Sequence, residues 1–128
     1  MGYWTQWFVA ERAEADAIAA MSEDENTHTS IILDNVIQSD LDVLGEVIGV
    51  DYTDYDPLVM SPMVIQVSPA FVTAAAEIEG AAISELGIRW AKGVDILTPE
   101  EAATNLRSIV GLCKDALAEG KSVLELAA

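Results

Sequence analysis

The densest group of side chains capable of chemistry lies between residues 51 and 56. Asp51, Asp54 and Asp56 alternate there with Tyr52 and Tyr55. Carboxylates on a loop are ligands for calcium or magnesium, although the spacing and the glycine of an EF-hand are absent. The same composition suits protein recognition, because tyrosines supply rigid contact area and acids pair with lysine or arginine. We predict a partner-binding loop; the alternatives are a metal-dependent or carboxylate-based enzyme and an ordinary solvated loop with its tyrosines on the core.

A second acidic run precedes the only histidine of the chain. Glu23, Asp24 and Glu25 lie a few residues before His28 in a polar segment. Histidine is the most common general base because its pKa lies near neutrality. Neighbouring acids favour its charged form and make it a poorer base, so we expect a surface histidine. The three acids have no local structural use and are predicted, with residues 51–56, to contact a partner.

Other groups that carry chemistry are scarce. Cys113 is the only cysteine, so an internal disulfide is excluded, which suits a reducing cytoplasm. It falls on the apolar face of a predicted helix, and the adjacent Lys114 does not share that face, which predicts a buried structural thiol. The common zinc sites need more cysteines and histidines than the chain has. No P-loop, dinucleotide-binding or nucleophile-elbow motif is present. We predict no catalytic residue, no metal ligand and no cofactor.

The charge is strongly asymmetric along the chain. The first eighty residues hold fifteen carboxylates and one cation, and the remaining forty-eight hold seven carboxylates and five cations, so the formal charges are −14 and −2. Such a field repels nucleic acid and anionic membranes and speeds encounter with a basic protein. We therefore predict a small acidic protein that docks a basic partner, with a toxin-neutralising or immunity-type inhibitor as the concrete form. An obligate homo-oligomer is a further alternative, and like-charge repulsion would direct a dimer to the C-terminal helices.

The size and composition of the chain indicate how many domains carry these groups. With 128 residues, of which 52% are hydrophobic, the chain is long enough to bury one core, which predicts a single domain over residues 1–128. No signal peptide and no apolar run of membrane-spanning length is visible. A cytoplasmic location is therefore expected.

The spacing of apolar residues predicts the elements that position these groups. The N-terminal segment 3–10 is a predicted strand, with Trp4 and Phe8 on one face and Tyr3 and Trp7 on the other; a sheet covered on both sides would bury both faces. Further strands are expected at residues 63–67 and 122–126. Helices are expected at residues 11–21, from a cap at Ser39 to residue 48, at residues 69–90 and at residues 99–119. The third of these helices should break near Gly87, and the fourth should begin with a Thr98–Glu101 capping box. The predicted fold is α+β, a small mixed or antiparallel sheet that includes the N-terminal strand and is covered by three to four helices.

Two motifs in the C-terminal half resemble a known family. The first is Val67-Ser-Pro-Ala-Phe-Val, which opens one helix, and the second is Asp115-Ala-Leu-Ala-Glu-Gly120-Lys-Ser-Val-Leu124, which closes another and leads into an apolar segment. From Val67 onward the chain resembles the YfbM-like family of uncharacterised bacterial proteins. The resemblance implies an α+β fold and a bacterial origin, and it carries no functional residues.

Overall fold

An antiparallel sheet joins the two ends of the chain at the centre of the molecule. The computed structural model describes residues 4–21, 26–54, 56–60, 62–95 and 97–127. Its strands are β1 (Trp4–Ala10), β2 (Ser30–Asp34), β3 (Val59–Met60), β4 (Met63–Gln66) and β5 (Ser122–Ala127), in the spatial order β2-β1-β5-β4-β3. The central pair is β1 with β5, in which Trp7 lies opposite Glu125. The α+β class and an antiparallel sheet that includes the N-terminal strand are thus confirmed.

Helices cover this sheet from both sides. They are a 3-10 turn (Arg12–Glu14), α1 (Ala15–Ala20), α2 (Gln38–Ile48), α3 (Pro69–Ala76), α4 (Gly80–Lys92) and α5 (Pro99–Glu119). On one side α1 packs against β3, β4 and β5; on the other, α3 and α5 pack against the sheet and α2 and α4 pack against those helices. The described residues thus form five α-helices rather than three or four. None of the helices formed by these residues is both long and apolar enough to cross a membrane.

The two faces of β1 are both buried, which confirms that the sheet is covered on both sides. Trp7 lies in the larger core with Phe71, on the side of α2 to α5. Phe8 lies in the smaller core with Ile18 of α1. Trp7 and Phe8 thus enter apolar surroundings on opposite faces of a central strand, so both aromatic residues contribute to folding.

The long helix expected over residues 69–90 is two helices, and the predicted break near Gly87 is wrong. The chain leaves the helical conformation between α3 and α4, at residues 77–79, with Glu79 extended at ψ 148°. Gly87 lies inside α4, where a Cβ atom would be 2.9 Å from the backbone nitrogen of Ala103 in α5. This glycine therefore allows two helices to approach closely, and it does not end one.

The two predicted helix starts differ in outcome. The capping box of α5 is confirmed, because Thr98 Oγ1 accepts from the Glu101 N–H at 3.1 Å and the Glu101 carboxylate accepts from the Thr98 N–H at 3.1 Å. The predicted Ser39 cap of α2 is wrong. Ile37 occupies the cap position, and its N–H donates to the carboxylate of Asp40 at 3.1 Å. An acid three residues into the helix thus bonds the free backbone N–H at its start.

Candidate functional site

Five carboxylates on α2 and the loop after it form a surface that we call the acidic ridge: Asp42, Glu46, Asp51, Asp54 and Asp56. Asp42 and Glu46 are one helical turn apart and share a face of α2. Partial burial raises the pKa of Asp42, and the charges of Asp51 and Glu46 raise it further. Asp51 therefore lies close to the α2 acids, and Asp54 and Asp56 follow it on the same loop with exposed side chains. The structure thus brings Asp51 next to two acids of helix α2, and Asp54 and Asp56 continue the acidic loop beyond it.

Two glycines bring the loop back against α2. Gly49 ends the helix in the left-handed conformation, with φ at 94°. Gly45 faces the returning chain, where a Cβ atom would lie 2.8 Å from the carbonyl oxygen of Val50. Only a residue without a side chain permits this backbone approach. The close return places Asp51 beside the acids of α2.

Hydrogen bonds fix the next residues of the loop to the end of β4 and the start of α3. The carbonyl oxygen of Tyr52 accepts from the Ser68 N–H at 2.7 Å. Thr53 Oγ1 donates to the carbonyl oxygen of Gln66 at 2.9 Å, and Thr53 forms an isolated antiparallel bridge with Val67. The loop is thus attached between Asp51 and Asp54, and a rigid display of charge lowers the entropy lost on binding.

The charge of the ridge has little compensation from cations of the chain. The sequence has no lysine or arginine between Arg12 and Arg89. In the part of the chain that the structure describes, the ion pairs are His28–Glu14 at 2.7 Å and Lys121–Glu119 at 3.7 Å. The exposed carboxylates of residues 46, 51, 54 and 56 form none of these pairs. They direct a negative potential toward solvent.

A buried carboxyl group lies beneath the ridge. Glu125 has no exposed surface, and its Oε1 accepts from the Trp7 Nε1–H at 2.8 Å. Its Oε2 accepts from Gln38 Nε2 at 3.2 Å and lies 3.5 Å from the hydroxyl of Tyr52. Burial raises the pKa of Glu125 strongly enough to outweigh these hydrogen bonds, and the charge of Asp42 raises it further. Removing the carboxylate from water therefore favours its protonated form.

Tyr52 belongs to this buried group and not to the exposed ridge. Its ring stacks on that of Trp7, with centroids 6.4 Å apart and planes 6° apart, and meets Phe71 edge-on at 6.4 Å. Its side chain is 1% exposed, and burial raises the pKa of its phenol. We therefore do not retain Tyr52 among the residues that contact a partner. Among the predicted contacts, Tyr55 and residues 23–25 lie outside the described residues.

His28 is not the surface histidine that was expected. Its side chain is 16% exposed, and Nε2 lies 2.7 Å from the carboxylate of Glu14. The ring meets Phe8 edge-on, and the buried Nδ1 has no hydrogen-bond partner among the described residues. A backbone hydrogen bond from Glu11 lowers the pKa of Glu14, and the contact with His28 lowers it further. The histidine thus fastens the 26–29 loop to the 3-10 turn.

The remaining candidates for chemistry give no reactive group. Cys113 is buried as expected, and burial raises the pKa of its thiol to about 12, so the nucleophilic thiolate is disfavoured. Within the described ranges, no group of three or more histidine, cysteine or acidic side chains is arranged to hold a metal ion.

Glu125 and Gln38 are site residues that no sequence motif marks. Residues 122–126 alternate, and the face of such a strand that carries an acid ordinarily meets solvent. The strand is central, and its second face is covered by helices. Only the central position of a C-terminal strand in a covered sheet would have indicated a buried acid.

Comparison of the chain with protein-family models, curated proteins and solved structures gives no significant match. The likeness to the YfbM-like family therefore stays a prediction.

Proposed function

We propose that this protein is a small acidic binding protein that docks a basic protein partner through the acidic ridge. The observation that carries the proposal is a set of exposed carboxylates, Glu46 on α2 and Asp51, Asp54 and Asp56 on the loop after it, that form no ion pair with any described residue. The loop is held by its contacts with Gly45, Ser68 and Gln66. Charges held in place and not neutralised within the molecule attract cationic side chains of a partner and speed encounter.

The scarcity of catalytic groups supports binding over catalysis. The thiol of Cys113, the only cysteine, is buried, and burial disfavours its reactive thiolate. A toxin-neutralising or immunity-type inhibitor of a basic protein is the concrete form that we propose, with a cytoplasmic location. It would be supported if the product of a directly adjacent gene were a basic toxin that this protein inhibits.

The proposed function is tested by the affinity for a basic probe, a nine-residue oligoarginine peptide. The ridge variant Asp51→Asn, Asp54→Asn, Asp56→Asn should bind it about tenfold more weakly, because each exposed charge pair is worth roughly 0.2–1 kcal/mol. The matched control Glu77→Gln, Glu79→Gln, Glu85→Gln removes the same formal charge from exposed positions around α3 and α4. It should keep the affinity within about twofold.

The two triple variants separate local recognition from general attraction. Wild-type affinity should fall steeply when the salt concentration rises from about 0.05 M to about 0.3 M, because exposed charges are screened. Equal losses in both variants would show that only net charge matters. An affinity independent of salt would also overturn the proposal.

A further inference from the structure

The outer edge of β2 is one end of the sheet. Among the strands of the described residues, β2 pairs with β1 alone. Val9 N–H donates to the Thr29 carbonyl at 2.9 Å, and the register continues as Trp7 opposite Ile31 and Thr5 opposite Leu33. Hydrogen-bonded and non-bonded pairs alternate in an antiparallel ladder. Because Val9 and Thr29 form a hydrogen-bonded pair, residues 29, 31 and 33 of this side of the ladder direct their backbone N–H and C=O groups at β1.

The intervening residues direct their backbone groups away from the sheet. Ser30, Ile32 and Asp34 therefore present N–H and C=O groups at the free edge. Among the described residues, no backbone or side-chain group is hydrogen-bonded to them there. An open row of this kind is a template for another strand.

The surroundings of this edge favour a strand of a particular composition. The side chain of Ile32 is 53% exposed and offers an apolar contact. Helix α5 packs beneath β2, and a groove of about 290 Å³ lies beside the end of the strand. The groove is lined by Asp34, Glu100, Glu101, Thr104 and Asn105. Side chains of an added strand alternate between the two faces of the sheet. Apolar ones on one face would lie beside Ile32, and those on the other face would extend over the groove acids Glu100 and Glu101.

We propose that the free edge of β2 accepts an extended basic segment of the partner as an added strand. The backbone of residues 30, 32 and 34 supplies the hydrogen bonds, and the groove at Glu100 and Glu101 selects lysine or arginine at alternate positions. The inference rests on the proposed function, from which it takes the positive charge of the partner. It adds a second surface, separate from the acidic ridge, and the form of the segment that binds there.

A second copy of this chain fits the edge less well. Each molecule carries a formal charge of −16, and pairing two β2 edges would bring two acidic grooves together. Like charges oppose that contact, whereas a basic strand neutralises it.

The test is amide hydrogen exchange of the full-length protein, read by NMR, with an alternating Lys–Val heptapeptide as the probe. Without peptide, the amides of residues 31 and 33 should exchange slowly and those of 30, 32 and 34 quickly. The peptide should slow the second set by about tenfold or more, because a ladder hydrogen bond protects each of them. A Glu–Val heptapeptide should leave all five rates unchanged.

Other results would overturn the inference and separate it from the proposed function. Protection by the Lys–Val peptide confined to residues 42–56 would overturn the edge site and leave the ridge proposal standing. Equal protection by the Glu–Val peptide would refute the selection of a basic segment. Protection of residues 30, 32 and 34 that grows with protein concentration alone would identify a second copy as the occupant. If no amide of β2 is protected, the edge site is refuted, and oligoarginine binding still tests the ridge.

A pair of variants at Ile32 adds an independent measurement. Ile32→Pro removes one outward N–H that takes no part in the β1 ladder, and it should weaken Lys–Val binding about tenfold. Ile32→Ala loses the same exposed side chain but keeps the N–H, and it should bind more tightly than the proline variant. Equal affinities would contradict backbone pairing. If the proline variant does not fold, the exchange pattern of the wild type decides.

Discussion

At the scale of single residues, one carboxyl group connects three elements. Glu125 of β5 accepts hydrogen bonds from Trp7 on β1 and Gln38 on α2, and it lies beside Tyr52 of the ridge loop. Removing one partner of a buried polar group leaves the others without hydrogen bonds, which costs roughly 1–3 kcal/mol. The position of the ridge relative to the sheet therefore depends on an acid that no solvent molecule reaches.

The protonation of Glu125 makes stability depend on pH. Burial raises its folded pKa above the ordinary value of 4.5, so the folded state holds the proton more tightly. The stabilisation that this bound proton gives is complete below the pKa of the unfolded state and is lost as the pH rises through the pKa of the folded state. Between the two pKa values, the free energy of unfolding falls by about 1.4 kcal/mol per pH unit. Glu125→Gln has no proton to lose. Its free energy of unfolding, measured with urea across this range, should lack that slope.

A matched variant controls for the many other acids. Glu85→Gln changes an exposed residue of α4 and should keep the wild-type slope. The pKa of Asp42 is also raised, and this residue is present in all three proteins. If the free energy of unfolding depended on pH in the same way in the wild type and in Glu125→Gln, a raised pKa of the buried carboxyl group would be contradicted.

Sequence reasoning found the exposed part of the site and missed its buried support. Asp51, Asp54 and Asp56 were identified because composition alone marks an acidic loop, and their side chains are exposed. Tyr52 was assigned with them, yet it faces the core. Which of two neighbouring side chains points inward depends on where the chain folds back, and that return is set by the contact of Gly45 with Val50.

At the scale of elements, the features set by capping and periodicity could be predicted from the sequence, and those set by packing could not. The Thr98 capping box and the final strand were predicted because their determinants are local. The division of residues 69–92 into α3 and α4 was not predicted, because the alanine-rich sequence favours helix throughout this segment. The strand β3, only two residues long, pairs with β4 and has too few residues to show a period.

Two glycines in helices provide a test of this packing. Gly87→Ala should destabilise the protein by about 1–3 kcal/mol, because the new Cβ would lie 2.9 Å from the Ala103 nitrogen. Gly111→Ala, in α5 with nothing within 4 Å of the added atom, should stabilise it by about 0.5–1 kcal/mol. Thermal and urea unfolding give both values. A stabilising Gly87→Ala would show that α4 and α5 are not in close contact there.

At the scale of the whole molecule, the charge asymmetry separates into parts with different roles. Some acids act locally, as Asp40 does at the start of α2 and Glu101 at the start of α5. Others remain exposed on the ridge, and the groove beside β2 is lined by Asp34, Glu100 and the capping acid Glu101. A homodimer through the C-terminal helices stays a prediction, and light scattering without any partner tests it.

The central claim is that the acidic ridge, rather than net charge, binds a basic partner. Its most direct test is a chemical-shift titration of the isotope-labelled protein with the nine-residue oligoarginine peptide at low salt. We predict that amides of residues 42–56 shift first and most, while those around Glu77, Glu79 and Glu85 shift little. Shifts spread equally over both acidic regions, or none at residues 42–56, would contradict it.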